Sequence, residues 1–167
     1  MKSVLISIQP KWVEKIANGE KTIEVRKTRP KLETPFKCYI YCTKIKNGSL
    51  KTRKGIEELG NPYYRIDGKV IGEFVCDRII DIPFKKPFIY YGKKMFHSNN
   101  CCKEACLSYI ELEDYLGNKD GFGWHISDLK IYDKPKELSE FRKYSEWLDI
   151  PITRPPQSYC YIEDLGE

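Results

Sequence analysis

Apolar side chains run almost unbroken from Val4 to Ile8 and are followed by Pro10, so the chain opens with a strand that hands over to a helix. Between Pro10 and Ala17 the period lengthens. Trp12 with Ile16 and Val13 with Ala17 stand at i and i+4 and form one apolar stripe, while Lys11, Glu14 and Lys15 face water. Asn18-Gly19 closes this helix, because glycine enters the left-handed conformation of a helix end without steric cost. From Thr22 the period drops to two, with Ile23 and Val25 on one strand face and Thr22, Glu24 and Arg26 on the other. The stretch from Gly19 to Arg26 therefore puts Lys21, Glu24 and Arg26 at the start of a half-apolar strand, which reads either as a solvated edge or as a site.

Prolines at 30 and 35 break the pattern into a loop, and Phe36 to Thr43 forms the next strand. Asn47-Gly48 is a tight-turn signal. Lys69 to Ile82 alternates over a length that predicts one long strand bending across two parts of a barrel. Phe84 to Asn100 reads as an ordered aromatic excursion. Cys101 to Gly117 is helical in part, with Ser108 and Glu111 at capping-box spacing. Gly121 to Tyr132 returns to strand, Glu137 to Trp147 predicts a short helix, and Ser158 to Ile162 is the last strand. Several strands with one early and one later helix make an α+β domain dominated by a small β-barrel. At 167 residues this is one domain, with insertions near 44–67 and 84–120.

Charge changes the picture. The net charge of +5 is modest, but residues 1–54 hold 14 Lys or Arg against 4 acids, and the remainder holds 15 against 20. A basic third folded against an acidic remainder is the footprint of a protein that engages an anion on one side. Lys44, Lys46, Lys51, Arg53 and Lys54 form a basic arm followed by Tyr63 and Tyr64, a pattern suited to phosphate contacts and base stacking. No apolar run approaches the roughly 18 to 20 residues that span a bilayer, and the N-terminus lacks signal-peptide features, so a cytoplasmic protein without membrane contact is expected. Seven irregularly spaced cysteines predict reduced thiols.

Other chemistry is sparse. There is no glycine-rich phosphate loop or dinucleotide fingerprint, and no cofactor is expected. His97, Cys101, Cys102 and Cys106 place four metal-ligand types within ten residues, but one short segment with two adjacent cysteines suits tetrahedral zinc poorly, so no metal is expected. Cys38 and Cys42 share a strand face as small packing residues. His125, after Trp124, is a candidate site residue or a hydrogen-bonded structural one.

The pattern Gly-x-Lys-x-x-Glu-x-Arg, preceded by the apolar strand, Ser7, Pro10 and Trp12, resembles the signature of ASCH-domain proteins of the PUA-like barrel superfamily. Val4 to Thr43 carries the resemblance best. The glycine-containing strand at 68–82, Trp124-His125-Ile126 and Pro155-Pro156-Gln157-Ser158 look like the remainder of bacterial and phage members. The resemblance implies a PUA-like barrel with a polar cleft, an association with RNA, nucleotides or nucleosides, and Ser7, Lys21, Thr22, Glu24, Arg26 and His125 as ligand-binding residues. Lysine and arginine supply donors, and a carboxylate between them orients both and accepts from a base amino group.

Some members resembling this motif hydrolyse acylated cytidine with a lysine, a threonine and a glutamate. Lys21 matches the lysine, but Glu24 stands at the threonine position and Thr22 is out of register. Others resemble ribonucleases, for which Lys21 and Glu24, with His125, are the catalytic candidates. RNA or nucleotide binding is thus the leading expectation and a small hydrolase the alternative. A third expectation is a phage-encoded partner of host proteins that docks through Phe88 to Phe96.

Overall fold

A computed structural model of the chain describes residues 1–44, 66–83, 88–90, 93–95, 99–117 and 119–166. In order these form β1 (Lys2–Ile8), α1 (Pro10–Ala17), β2 (Ile23–Arg26), β3 (Phe36–Cys42), β4 (Val70–Cys76), β5 (Ile79–Ile82), β6 (Phe88–Tyr90), β7 (Lys93–Met95), α2 (Asn99–Glu104), α3 (Tyr109–Leu116), β8 (Gly121–His125), β9 (Ser127–Lys136), β10 (Arg142–Lys143), β11 (Ile150–Pro151) and β12 (Tyr159–Glu163). The architecture is α+β and mostly sheet. A seven-stranded sheet has the order β11-β10-β12-β1-β3-β4-β9, a three-stranded sheet the order β2-β8-β5, and β6 pairs with β7.

Strand β1 is buried along its whole length after Lys2 because both faces of the large sheet are covered. Val4, Ile6 and Ile8 face a core shared with α1, β3, β4 and Trp124 of the small sheet. Leu5 faces the other way, into a cluster with Tyr39, Tyr41, Val70, Phe141, Ile152 and Ile162. Strands β1 and β3 run parallel, so the chain must cross over between them, and α1 with β2 makes that crossing. The helix buries Val13 and Ile16 and ends at Asn18, with Gly19 at φ +74°. The far face of the small sheet is closed by a third cluster, Ile23, Val25, Ile82, Cys101, Ala105, Leu112 and Leu116, contributed partly by α2 and α3. Strand β2 is consequently buried on both faces, which settles the first ambiguity of the sequence against a solvated edge.

The expected closed barrel is not found: among the described residues the ladders end as separate sheets. What joins them is a corner. The long strand predicted over 69–82 is broken at Asp77-Arg78, so that β4 pairs in the large sheet and β5 in the small one. The strand predicted over 121–132 breaks in the same way at Ile126, between β8 and β9. Both chains pass from one sheet to the other at this level, where Ser127 Oγ donates to Val75 O at 2.9 Å.

The helix predicted over 137–147 is also replaced, by a 3-10 turn at Leu138–Glu140 followed by β10. Phe141 is fully buried beneath the large sheet, and its carbonyl accepts from Ile152 N, so sheet pairing overrides local helix propensity. The capping box does form: Ser108 Oγ accepts from Glu111 N while Glu111 Oε2 accepts from Ser108 N, and Gly117 ends α3 at φ +62°. Residues 45–65, which include most of the first expected insertion, and parts of the second lie outside the described residues. No helix among the described residues is long and apolar enough to cross a membrane.

Close approach of β4 and β9 depends on Gly72, where an added Cβ would stand 2.5 Å from the Lys130 carbonyl oxygen. That atom is backbone and cannot swing aside. Gly72→Ala is expected to lower stability by about 1–3 kcal/mol, seen as a reduced urea midpoint.

Candidate functional site

Because β2 pairs antiparallel with β8, Glu24 stands directly opposite Trp124, on the face turned toward the core beneath the large sheet. Polar side chains on such a face have to be compensated. Lys21, Glu24 and Arg26 are only 3%, 6% and 7% exposed, and they form a continuous row. Lys21 Nζ lies 3.4 Å from Glu24 Oε2, and Arg26 Nη2 lies 2.9 Å from Glu24 Oε1.

Each cation is also tied to a carbonyl outside the motif. Lys21 Nζ donates to Ala105 O at 2.8 Å, just past α2, and its ammonium sits 5.2 Å from the centroid of the Trp12 ring. Arg26 Nη2 donates to Ser7 O at 2.7 Å and Nη1 donates to Ser158 Oγ at 3.3 Å. Ser7, 8% exposed, uses its own hydroxyl to donate to Pro156 O at 2.6 Å. Strand β1, the motif, the turn after α2 and the segment leading into β12 therefore converge on one row of charge. Arg26 Nε has no hydrogen-bond partner.

The row forms the floor of a cleft of about 1350 Å³. One wall is α1 and its approach, with Gln9, Lys11 and Trp12; the other is α3 and its approach, with Leu107, Glu111, Asp114 and Tyr115. Lys27, Thr28, Lys44, Gln157 and Ser158 complete the rim. The volume accommodates a ligand of nucleoside size or larger. Five cations, Lys11, Lys21, Arg26, Lys27 and Lys44, line it against three carboxylates, Glu24, Glu111 and Asp114. Lys11 Nζ lies 4.2 Å from the Trp12 ring centroid and Lys27 Nζ 5.3 Å from that of Tyr115, so both aromatic rings of the cleft already carry a cation. Hydrogen bonds from Ser108 hold the Glu111 carboxyl below its usual range, and Lys11 across the cleft adds to the effect.

The sequence candidates divide clearly. Ser7, Lys21, Glu24, Arg26 and Lys44 meet in the cleft. Thr22 does not line it, and its backbone instead bridges Glu104 O and Ile126 N. His125 does not reach it either. It stands opposite Ile23, on the face turned away from Glu24, and Nδ1 lies 2.5 Å from Asp77 Oδ1 at the corner between the sheets. Lys46, Lys51, Arg53, Lys54, Tyr63, Tyr64 and His97 lie outside the described residues. Cys101 packs in the helical cluster, where burial pushes its thiol up to about 11. Among the described residues no group of three or more His, Cys, Asp and Glu is placed to hold a metal ion.

Sequence reasoning missed Tyr115 and Asp114 as cleft residues, and it left Glu111 as one of three glutamates, with Glu104 and Glu113, open as the counterpart of the family's site glutamate; of these Glu111 lines the cleft. The only signal available was that α3 is amphipathic, and amphipathicity says which face is buried, not what the other face overlooks.

The chain is similar in structure to the ASCH protein from Zymomonas mobilis, with a TM-score of 0.56 and 19% identity over 96% of this chain and 87% of that one. A tyrosine-to-phenylalanine variant of that protein matches at TM-score 0.54 and 20% identity, covering 98% of this chain and 91% of that one. A serine-to-alanine variant matches at 0.55 and 19%, covering 96% and 88%. This chain therefore has the ASCH fold. No family model matches it, and no curated protein matches its sequence.

A buried charge row can be tested against an ordinary packing role. Glu24→Leu leaves two buried cations without their carboxylate and is expected to cost about 3–5 kcal/mol. Replacing the row together, as Lys21→Met, Glu24→Leu and Arg26→Met, is expected to cost markedly less than the single change. Chemical denaturation of both variants checks this, and a neutral Glu24→Leu would rule out a coupled row.

Proposed function

We propose that this protein is an RNA- or nucleotide-binding domain, acting in the cytoplasm through the cleft above Lys21, Glu24 and Arg26. On this reading residues 1–167 work as one domain on a PUA-like scaffold. The observation that carries the proposal is the juxtaposition of a buried charge row with two cation-bearing aromatic rings in one open cleft. Single-stranded nucleic acid asks for this combination: π-faces on which bases stack, and cations that follow the phosphates.

Trp12, on the α1 wall, offers a stacking face next to Lys21. Lys11, Lys27 and Lys44 reach the rim from α1, from the end of β2 and from beyond β3, so their ammonium groups contact phosphates while the floor meets a base edge. In sequence, Lys46, Lys51, Arg53 and Lys54 follow Lys44 and add cations to the segment that this reading assigns to phosphate contacts.

Hydrolysis of RNA or of an acylated nucleoside has weaker support. Lys21 Nζ is engaged by Glu24 and Ala105 O, and Glu24 is engaged by two cations, which leaves neither poised to exchange a proton. His125, the other candidate acid, stands at the sheet corner with Asp77.

Fluorescence anisotropy with a labelled single-stranded RNA tests the proposal. Affinity is expected to fall steeply with salt, and Lys11→Ala or Lys44→Ala each to weaken binding and reduce the log–log salt slope by about 0.7. Trp12→Leu is expected to weaken binding by about 1–3 kcal/mol with the slope unchanged. Affinity independent of salt would sink the phosphate contacts, and an unaffected Trp12→Leu variant would sink the stacking role.

A further inference from the structure

The floor of the cleft has a direction. Lys21 touches Glu24, Glu24 touches Arg26, Trp12 lies at the Lys21 end, and Ser158 lies at the Arg26 end. The two ends are chemically different. At the Lys21 end the Trp12 ring lines the cleft, with Lys11 Nζ 4.2 Å and Lys21 Nζ 5.2 Å from its centroid, and the Lys21 cation is engaged by Glu24 and Ala105 O. At the Arg26 end hydrogen-bonding groups accumulate on the lining: the guanidinium, the Lys27 ammonium, and the hydroxyls of Thr28, Ser158 and Tyr115. Glu24 is the acid of the floor, already shared by Lys21 and Arg26, and Glu111 and Asp114 are the acids that α3 adds, Asp114 next to Tyr115 in sequence.

Tyr115 is the member of this group that comes from outside the strand motif. It sits in the last turn of α3, 39% exposed, with Lys27 Nζ 5.3 Å from its ring centroid. Its hydroxyl lies within the fields of both members of the ion pair. Burial raises it above its ordinary range, Arg26 pulls it down and Glu24 pushes it up. A phenol on the wall of the cleft, in the field of a guanidinium and with an ammonium over its ring, is a hydrogen-bond donor for an anionic acceptor.

Resting on the reading of the cleft as a nucleotide site, we infer that Tyr115 is a specificity-determining residue: with Arg26 and Lys27 it donates to a phosphate group, so the cleft takes phosphorylated nucleotides in preference to free nucleosides. The base then lies toward Trp12 and the phosphate toward Ser158. Lys27 packs over the ring, and loss of the hydroxyl alone removes one charge-assisted hydrogen bond while leaving the ring on the wall.

Isothermal titration of the full chain with the four ribonucleosides, their 5′- and 3′-monophosphates, and inorganic phosphate tests this. The wild-type protein is expected to bind a monophosphate at least about tenfold more tightly than the matching nucleoside, and Tyr115→Phe to lose about tenfold for the monophosphate with nucleoside affinity unchanged. Unchanged thermal unfolding of Tyr115→Phe verifies that the wall is intact. Equal affinity for nucleoside and monophosphate would overturn the inference while leaving nucleoside binding in the cleft standing. An equal loss for both ligands in Tyr115→Phe would reduce Tyr115 to a packing surface and overturn it as well. Inorganic phosphate as tight as the monophosphate would make this end a plain anion site and overturn the nucleotide specificity. Binding of none of these, together with no binding of RNA, would remove the proposed function itself.

Discussion

Everything around the cleft follows from the need to compensate three buried charges, two on a four-residue strand buried on both faces and one, Lys21, in the turn before it. A carboxylate or ammonium taken out of water loses several kcal/mol of hydration, and an ion pair alone rarely restores it. Glu24 is shared between two cations, and each cation also takes a backbone carbonyl, Ala105 O for Lys21 and Ser7 O for Arg26. Those carbonyls belong to segments remote in sequence. The row can exist only when β1, β2, the turn after α2 and the approach to β12 are all in place, so the most expensive feature of the molecule is also the one that reports complete folding.

The second constraint is the corner. Because β4–β5 and β8–β9 both change sheets at the same level, β2 is held antiparallel to β8 with its polar face turned in over the large sheet. Asp77 and His125 pair at that corner. His125 thus stands at the end of β8 and outside the cleft lining, a placement that its position in sequence next to Trp124 could not show.

What was legible in the sequence was local. Pro10, the i and i+4 stripe and Gly19 marked α1 to the residue, and Ser108 with Glu111 marked α3, because caps and periodicity are properties of a few neighbouring residues. The convergence of Lys21, Glu24 and Arg26 was legible for the same reason. Strand alternation puts Glu24 and Arg26 on one face, and Lys21 reaches them from the turn before. The breaks at Asp77-Arg78 and Ile126 were harder to read: the alternation lapses at Asp77-Arg78 and shifts phase after Ile126, but such a lapse equally fits a bulge in one strand, and only pairing with different partners separates the halves. The 3-10 turn at Leu138–Glu140 was hidden by a good helix former pattern that loses to the burial of Phe141. Closure into a barrel was an inference from strand number, and strand number does not determine whether the outer strands meet.

The division between floor and wall bears on what the cleft can discriminate. Floor groups are tethered: Lys21, Glu24 and Arg26 are nine-tenths buried or more and hold one another and the backbone. Such groups have little freedom to adapt to one ligand over another, and their opposed charges offset most of the field they would project. The wall groups are different. Lys11 and Lys27 lie over aromatic rings, and Lys44, Asp114 and Tyr115 stand on the rim and wall, without the network of ion pairs and backbone hydrogen bonds that tethers the floor. Two of these, Asp114 and Tyr115, belong to α3, in the part of the chain where the strand motif has no say. The buried row and the helix that overlooks it are thus separable parts of the cleft, since substitutions at Asp114 and Tyr115 alter the wall without removing an ion pair of the floor.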